Sequence, residues 1–379
     1  MSEVVILGCG MVGWAIAIDM AADPSLAVTV ADVRPDVLEK LGARARVRTV
    51  CVDLSDAAAV TELVRGFDLA LGALPSRFGL QTLRAVIEAG TRYVDISFMA
   101  EDALELSPLA RERGVVCVVD CGVGPGVSNL ACGYATTWLQ PCERLEILVG
   151  GLPEVRSWPF DYKVAFAPAD VLEEYTRPAR MVERGEVVVY PALSGIERVD
   201  IPGVGTLEAF NTDGLRSLIR TLDVPNMTEK TMRWPGHAER MQVLAAMGLF
   251  GSAPIDVGGQ QVVPIELAAA LLFPQWTYQP GEVDITVMRV TAIGMREGER
   301  VRMIWELLDR YDAATELTSM SRTTGFPATI VARMVLAGRI DEPGVHPPEL
   351  LGKRPGVLDH VLAELALRGV VYRARVEAV

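Results

Sequence analysis

The 379-residue chain predicts an α/β fold, a doubly wound parallel sheet carrying an inserted α+β domain. Three observations predict it. A glycine turn, Gly8-Cys9-Gly10-Met11-Val12-Gly13, sits between an apolar run and a small-residue helix, and Asp32 closes a second apolar run nineteen positions later. Short apolar strands then alternate with helices as far as residue 120. From about residue 145 the composition shifts to β-rich runs broken by proline and glycine. The first two observations describe a Rossmann sheet, and the third a separate domain.

Each part of the first β-α-β unit has a physical task. Gly8 permits a tight turn, Gly10 lets backbone N–H groups approach a pyrophosphate, and Gly13 lets the helix pack close on the strand. The helix N-terminus adds unpaired N–H donors and its dipole. Asp32 can accept both ribose hydroxyls of NAD and would repel the 2′-phosphate of NADP, so NAD is the expected cofactor. An empty glycine-rich turn is the plain alternative. A third strand is expected over 47–53, where Asp53 can reach an adenine amine, and a fourth over 67–75, ending in Ala73-Leu74-Pro75. A helix over 79–90 stops at Gly90. A fifth strand over 93–97, a helix over 100–114 and a sixth strand over 115–120 complete the sheet. Ligands of such sheets lie beyond the carboxyl ends of the strands. Met11, Val12, Val33, Arg34, Leu54, Ser97, Gly122 and Val123 therefore join the residues above as cofactor candidates.

The expected division is a dinucleotide-binding domain over 1–125, an α+β substrate and oligomerisation domain over 126–320, and helices over 321–379 that return to the first domain. Strands are expected over 145–149, 187–190, 284–291 and 300–305, then helices over 324–337 and 356–368 and a strand over 370–373. Half of the residues are hydrophobic and 22% charged, which excludes a disordered chain. A net charge of −13 argues against nucleic acid or an anionic membrane as partner. No apolar run is long enough to span a bilayer and no leader precedes the first strand, so a cytoplasmic protein is expected. The six cysteines read as reduced core thiols, and no metal-ligand spacing is present.

Four further segments carry polar chemistry. Gly122-Val-Gly-Pro-Gly126 is either a nicotinamide contact or a hinge. Lys163 follows Tyr162 and precedes an apolar run and a proline-capped helix; alone, it reads more readily as solvated than as functional. Thr212, Asp213 and Arg216 lie in a turn suited to an amino acid's charged groups, or else simply capping a helix. Arg233-Trp-Pro-Gly-His237 places a cation and one of three histidines at a rigid turn, where a lone histidine is more often structural, and Ser319-Met-Ser-Arg322 precedes a buried helix, with capping as its default role.

Together these segments resemble the lysine 6-dehydrogenases, within the broader saccharopine dehydrogenase group. Matching stretches run in order from Gly8 through Leu71-Gly-Ala-Leu-Pro75, Val94-Asp-Ile-Ser-Phe98, Gly122 to Gly126, Gly150-Gly-Leu-Pro153, Tyr162-Lys163, Glu173-Glu-Tyr-Thr-Arg-Pro-Ala179, Asp213-Gly-Leu-Arg-Ser217, Arg233 to His237, Ser319 to Arg322 and Gly344-Val-His-Pro-Pro348. The resemblance implies NAD as oxidant, L-lysine as substrate and a homo-oligomer, a dimer. Phe98, Gly124 and Val149 stand where saccharopine reductases typically carry Tyr, Asp and Cys, which favours a smaller substrate with one carboxylate.

Oxidation at the ε-carbon needs a neutral amine, and deprotonating free lysine at pH 7 costs roughly 4–5 kcal/mol. Asp213 is the first expected base, with Asp95 and His237 behind it. Arg216 or Arg233 would clamp the α-carboxylate, and Tyr162, Thr212 and Arg322 would line the substrate. Lys163 would disfavour a protonated ε-amine. The alternatives are a saccharopine-type C–N oxidoreductase and a non-catalytic NAD sensor.

Overall fold

The computed structural model describes residues 1–164 and 168–379. Residues 165–167, part of the apolar run expected after Lys163, lie outside the described residues. Two compact units divide the chain: Met1–Trp138 with Ser321–Val371, and Leu139–Met320 with Tyr372–Val379.

The first unit is built on a seven-stranded parallel sheet. Its spatial order is Gly344–His346, Val116–Val118, Arg92–Asp95, Leu69–Gly72, Ser2–Leu7, Leu26–Asp32 and Arg48–Cys51. Val4, Val5, Ile6 and Leu7 are fully buried, as a strand covered on both faces requires. The order reverses between Ser2–Leu7 and Leu69–Gly72, and the turns leaving those two strands flank the crevice where such sheets bind ligands.

Several elements differ from expectation. The helix expected over 100–114 splits into a 3-10 turn, Ala103–Leu106, and a helix, Ser107–Glu112, because Pro108 has no N–H to continue the first piece. Gly344–His346 is a seventh strand not foreseen, three residues being too short to show periodicity. Cys51 is exposed, since its strand forms the sheet edge, whereas the other five cysteines are buried and all six are free thiols.

The first unit also continues past residue 125, through helix Val127–Trp138. Glycines explain its place: a Cβ on Gly133 would lie 2.0 Å from the Glu349 carbonyl, and one on Gly352 would lie 2.1 Å from that of Leu130. Only bare backbone allows helices Val127–Trp138 and Pro348–Gly352 to approach so closely.

The second unit holds a nine-stranded mixed sheet. Along its main path lie Glu197–Ile201, Gly205–Asn211, Asn226–Arg233, Cys142–Pro153, Asp284–Arg296, Glu299–Arg310 and Tyr372–Ala378, with Ala179–Glu183 and Glu186–Tyr190 branching from Asn226–Arg233. Only the pairing of Asn226–Arg233 with Cys142–Pro153 is parallel on that path. One face buries Leu148, Leu152, Leu207, Ala209, Met232, Ile285 and Val287. The opposite face carries Phe210, which packs with Tyr162, Tyr175, Phe250 and Trp276 from the helices and loops above it.

The end of the chain is a correction to the expected return over 321–379. Tyr372–Ala378 pairs antiparallel with Glu299–Arg310 and so belongs to the second unit. Its alternation of Tyr372, Ala374 and Val376 with Arg373, Arg375 and Glu377 is that of an edge strand. Helix Ser319–Leu336 begins five residues before the expected start at 324. The Asp284 carboxylate accepts from the N–H groups of Ser319 and Met320, at 2.7 and 2.8 Å, and so extends the helix through the hydroxyl-rich turn.

Candidate active site

In the first unit, the glycine turn has the geometry its residue types imply. A Cβ on Gly8 would lie 2.6 Å from the Ala73 carbonyl, and one on Gly13 would lie 2.1 Å from the Gly8 carbonyl, so both positions require glycine. A Cβ on Gly10 would meet nothing within 4 Å. That open space is the cradle a pyrophosphate needs. Helix Met11–Ala21 makes its first intrahelical bond from Trp14 N to the Gly10 carbonyl, so the N–H groups of Met11, Val12 and Gly13 have no acceptor within the helix.

Asp32 stands at the end of the second strand and accepts from Cys9 N at 2.7 Å. Arg34 closes on it, with Nε and Nη2 at 2.9 and 3.0 Å from the two carboxylate oxygens and its own N–H at 2.9 Å. Burial opposes ionisation, yet the Arg34 and Cys9 hydrogen bonds hold Asp32 below the usual carboxylate range. Val33 is exposed beside it. Asp53 is exposed and caps its own turn, accepting from Ser55 N at 2.9 Å, while Leu54 is buried.

Leu74 and Pro75 continue the turn after Ala73, whose N–H donates to the Leu7 carbonyl. Asp95 is fully buried and accepts from the Ser97 hydroxyl and, at 3.1 Å, from Ser97 N. Burial and the nearby Asp120 push its carboxyl up to about 6. Gly122 and Val123 form a turn stitched by Val127 N and Ser128 N, and a Cβ on Gly126 would overlap the Gly122 carbonyl. Arg322, expected near the substrate, lies within helix Ser319–Leu336 and donates to the Arg368 carbonyl at 3.1 Å.

In the second unit, the strand Asn226–Arg233 alternates Met227, Glu229, Thr231 and Arg233 on one face, all buried. Arg233 is 2% exposed. Its Nη2 reaches Glu174 at 2.7 Å and Tyr162 Oη at 3.4 Å, its Nη1 donates to the Met232 carbonyl, and its guanidinium lies 4.6 Å from the Tyr162 ring centre. Its buried Nε has no hydrogen-bond partner among the described residues. Burial disfavours the charge, but Tyr162 and Glu174 more than offset it and hold the guanidinium protonated.

Asp213, the first expected base, is committed elsewhere. Both its oxygens accept from Arg180, each at 2.8 Å, and one also accepts from Arg180 N. This bidentate pair anchors the turn and leaves the carboxylate poorly placed to take a proton. Arg216 is buried in the same turn with a left-handed backbone, φ 55°.

His237 is likewise locked. Nδ1 lies 2.9 Å from the Phe160 carbonyl, which can only accept, so Nδ1 carries the proton and Nε2 accepts from the Tyr175 hydroxyl at 2.8 Å. Burial, reinforced by Arg233, drives its pKa down to about 3. It is a neutral structural bridge rather than a base. Lys163 donates to the Thr277 carbonyl at 3.2 Å and pairs with Glu282 at 3.1 Å, which offsets the charge expected to repel an ammonium.

Three acidic side chains beside these groups were not among the expected site residues. Glu174 pairs with Arg233, Glu229 accepts from Thr212 Oγ1 at 2.7 Å and from Gly214 N at 3.0 Å, and Glu208 caps helix His237–Ala246 through Gly236 N and Ala238 N. The registered pair Glu208↔Arg233 is the signal, since it puts the acid beside the start of that helix. Replacing Glu208 by alanine leaves the Gly236 and Ala238 N–H donors without their acceptor, with an expected loss of about 2 kcal/mol in denaturant unfolding. An unchanged midpoint and slope would show the cap to be dispensable.

Residues 4–118 match the saccharopine dehydrogenase NADP binding domain, and residues 122–370 the saccharopine dehydrogenase C-terminal domain. The chain is 22% identical over 405 residues to the NADP(+), L-glutamate-forming saccharopine dehydrogenase of Schizosaccharomyces pombe, covering 85% of this chain and 87% of that one. It is 23% identical over 449 residues to the mitochondrial alpha-aminoadipic semialdehyde synthase of Bos taurus, covering 98% of this chain but 47% of that one, so it spans about half of that protein's length. Among solved structures, the apo saccharopine dehydrogenase (L-Glu forming) from Saccharomyces cerevisiae matches with a TM-score of 0.82 at 19% identity, over 100% of each chain, and shares the fold. Both domain matches, following one another along nearly the whole chain, place this protein in the saccharopine dehydrogenase family.

Proposed function

We propose that the protein oxidises L-lysine at its ε-carbon with NAD, giving NADH, ammonia and 2-aminoadipate 6-semialdehyde, which cyclises. Arg233 carries the reading. A buried guanidinium whose Nε is unpartnered, set against the Tyr162 ring and beside Tyr175, suits a substrate with a single carboxylate. The departures from the saccharopine reductase pattern at Phe98, Gly124 and Val149, each lacking the polar group found there, favour the smaller substrate.

The glycine cradle, the free helix donors and Asp32 fit a nicotinamide dinucleotide, which when bound supplies a two-electron acceptor. The protein's own tasks are to hold the carboxylate, strip the ammonium of a proton and exclude water. Arg233 performs the first, and the aromatic cluster around Trp276 the last. The protein works as a cytoplasmic homodimer in this reading.

Names of the relatives favour a second reading, the oxidation of saccharopine with NADP. An amine panel scanned by NADH absorbance separates the two. L-Lysine is expected to be the best substrate, and turnover confined to saccharopine would overturn the proposal.

Cofactor choice follows from Asp32 and Arg34. Arg34 must swing aside for ribose hydroxyls to reach Asp32; swung towards a 2′-phosphate, it would serve NADP instead. The wild type is expected to prefer NAD, and Asp32→Ser to narrow that preference at least tenfold in kcat/KM. Equal use of both cofactors by the wild type would contradict the assignment of Asp32.

A further inference from the structure

Thr231 Oγ1, Thr212 Oγ1 and Glu229 Oε2 form a continuous buried chain in the second unit, with steps of 2.9 and 2.7 Å. All three side chains are nearly inaccessible, and the turn is shaped around the acid: a Cβ on Gly214 would lie 2.3 Å from the Glu229 carboxyl carbon. Two residues along the same strand face, Arg233 offers its buried, unpartnered Nε. Hydroxyls in contact with one another can each accept a proton on one side while giving one on the other.

We propose that this chain takes the proton the substrate's ammonium must lose, passing it from Thr231 through Thr212 to Glu229; the proposal rests on the amine-oxidation reading above. An N–H bond of the ammonium breaks as Thr231 gains a proton, Thr231 and Thr212 each hand on their own, and a new O–H bond forms at Glu229 Oε2. Ammonium and carboxylate become neutral amine and carboxylic acid, and no electron pair leaves the substrate in this step. Glu229 acts through the hydroxyls, so it is a positioning residue that stores the proton.

The groups facing Glu229 set its titration. Burial is the largest influence and raises its pKa; Glu174 from helix Pro168–Thr176 and Asp213 from the turn raise it further, while the bonds from the Thr212 hydroxyl and Gly214 N–H lower it, leaving it at about 8. Arg233 lies on its own strand, and Arg180 on the neighbouring one is engaged by Asp213. Below about pH 8 the acid already holds its proton and cannot accept another. Activity should therefore fall as pH drops through that value.

The test is the pH profile of kcat/KM for L-lysine in the wild type, Glu229→Gln, Thr212→Val and Thr212→Ser, with thermal unfolding and dinucleotide affinity as folding controls. The wild-type limb should lie near pH 8. In Glu229→Gln it should move up towards lysine's own pKa of about 10.4, with kcat at pH 8 down about 100-fold and KM little changed. Thr212→Ser should keep the wild-type limb and Thr212→Val should lose it, which decides the matter even if Glu229→Gln fails to fold. A limb unchanged in Glu229→Gln, or equal activity of the two Thr212 variants, overturns the relay while leaving lysine oxidation intact. A wild type that oxidises no amine overturns both.

Discussion

Arg233→Met should sharply lower lysine turnover while leaving dinucleotide binding untouched. The methionine keeps the volume of the side chain's stem but removes the charge that Glu174 faces at 2.7 Å and the Nε donor offered to a carboxylate. Breaking a buried pair by deleting one partner costs about 3–5 kcal/mol, because the other is left without compensation. Part of that cost is relieved here: Glu174 is already pushed up from the ordinary carboxyl range by burial and can protonate. Loss of the carboxylate clamp should lower kcat/KM by about 10³-fold. Arg233→Lys should recover little of it, since an ammonium cannot serve Tyr162, Glu174, the Met232 carbonyl and a ligand in one plane. Steady-state kinetics with a fluorescence titration of the dinucleotide checks both halves. A variant with near wild-type kcat/KM would remove Arg233 from the substrate site.

At the other unit, Gly10→Ala and Gly13→Ala should separate binding from folding. The Gly10 Cβ meets nothing within 4 Å and the backbone there is extended, so the alanine fits at a cost within about 1 kcal/mol. It nevertheless stands where the pyrophosphate must approach, and the dinucleotide Kd should rise at least 30-fold. Gly13→Ala places its Cβ 2.1 Å from the Gly8 carbonyl, and neither backbone can yield without opening the strand-helix turn. That variant should lose about 1–3 kcal/mol of stability together with its dinucleotide affinity. Calorimetric binding and thermal melts of the two proteins report the difference. A destabilised Gly10→Ala with unchanged Kd would mean that the open cradle is not the anion site.

Much of the first unit was legible because its signals are local. The glycine spacing, the acid ending the second strand and alternating apolar runs are properties of contiguous residues, and six of seven strands follow from them. Gly344–His346 is not legible in this way: it is a strand only because Val116–Val118 lies beside it.

The candidate substrate residues divide along the same line. Arg233 and Tyr162 stand out by type, and the structure brings them together. Glu229 does not, because only strand pairing turns it inward with Thr231 and Arg233. Asp213 misled for the converse reason. Its polar turn suggested an available acid, and Arg180, thirty-three residues earlier, takes both of its oxygens. His237, which alone reads more readily as structural than as reactive, is fixed neutral by two hydrogen bonds and burial. Partners distant in sequence decide which titratable side chains are available for chemistry, and single-chain spacing carries no record of them.

The most direct test of lysine as the substrate is the nitrogen balance of the reaction. Purified protein with NAD and L-lysine, without 2-oxoglutarate, should form NADH and ammonia in equal amounts, with the cyclised semialdehyde trapped by an aromatic amino-aldehyde. NADH formed only from saccharopine, with one glutamate released per turnover and no free ammonia, would contradict the account.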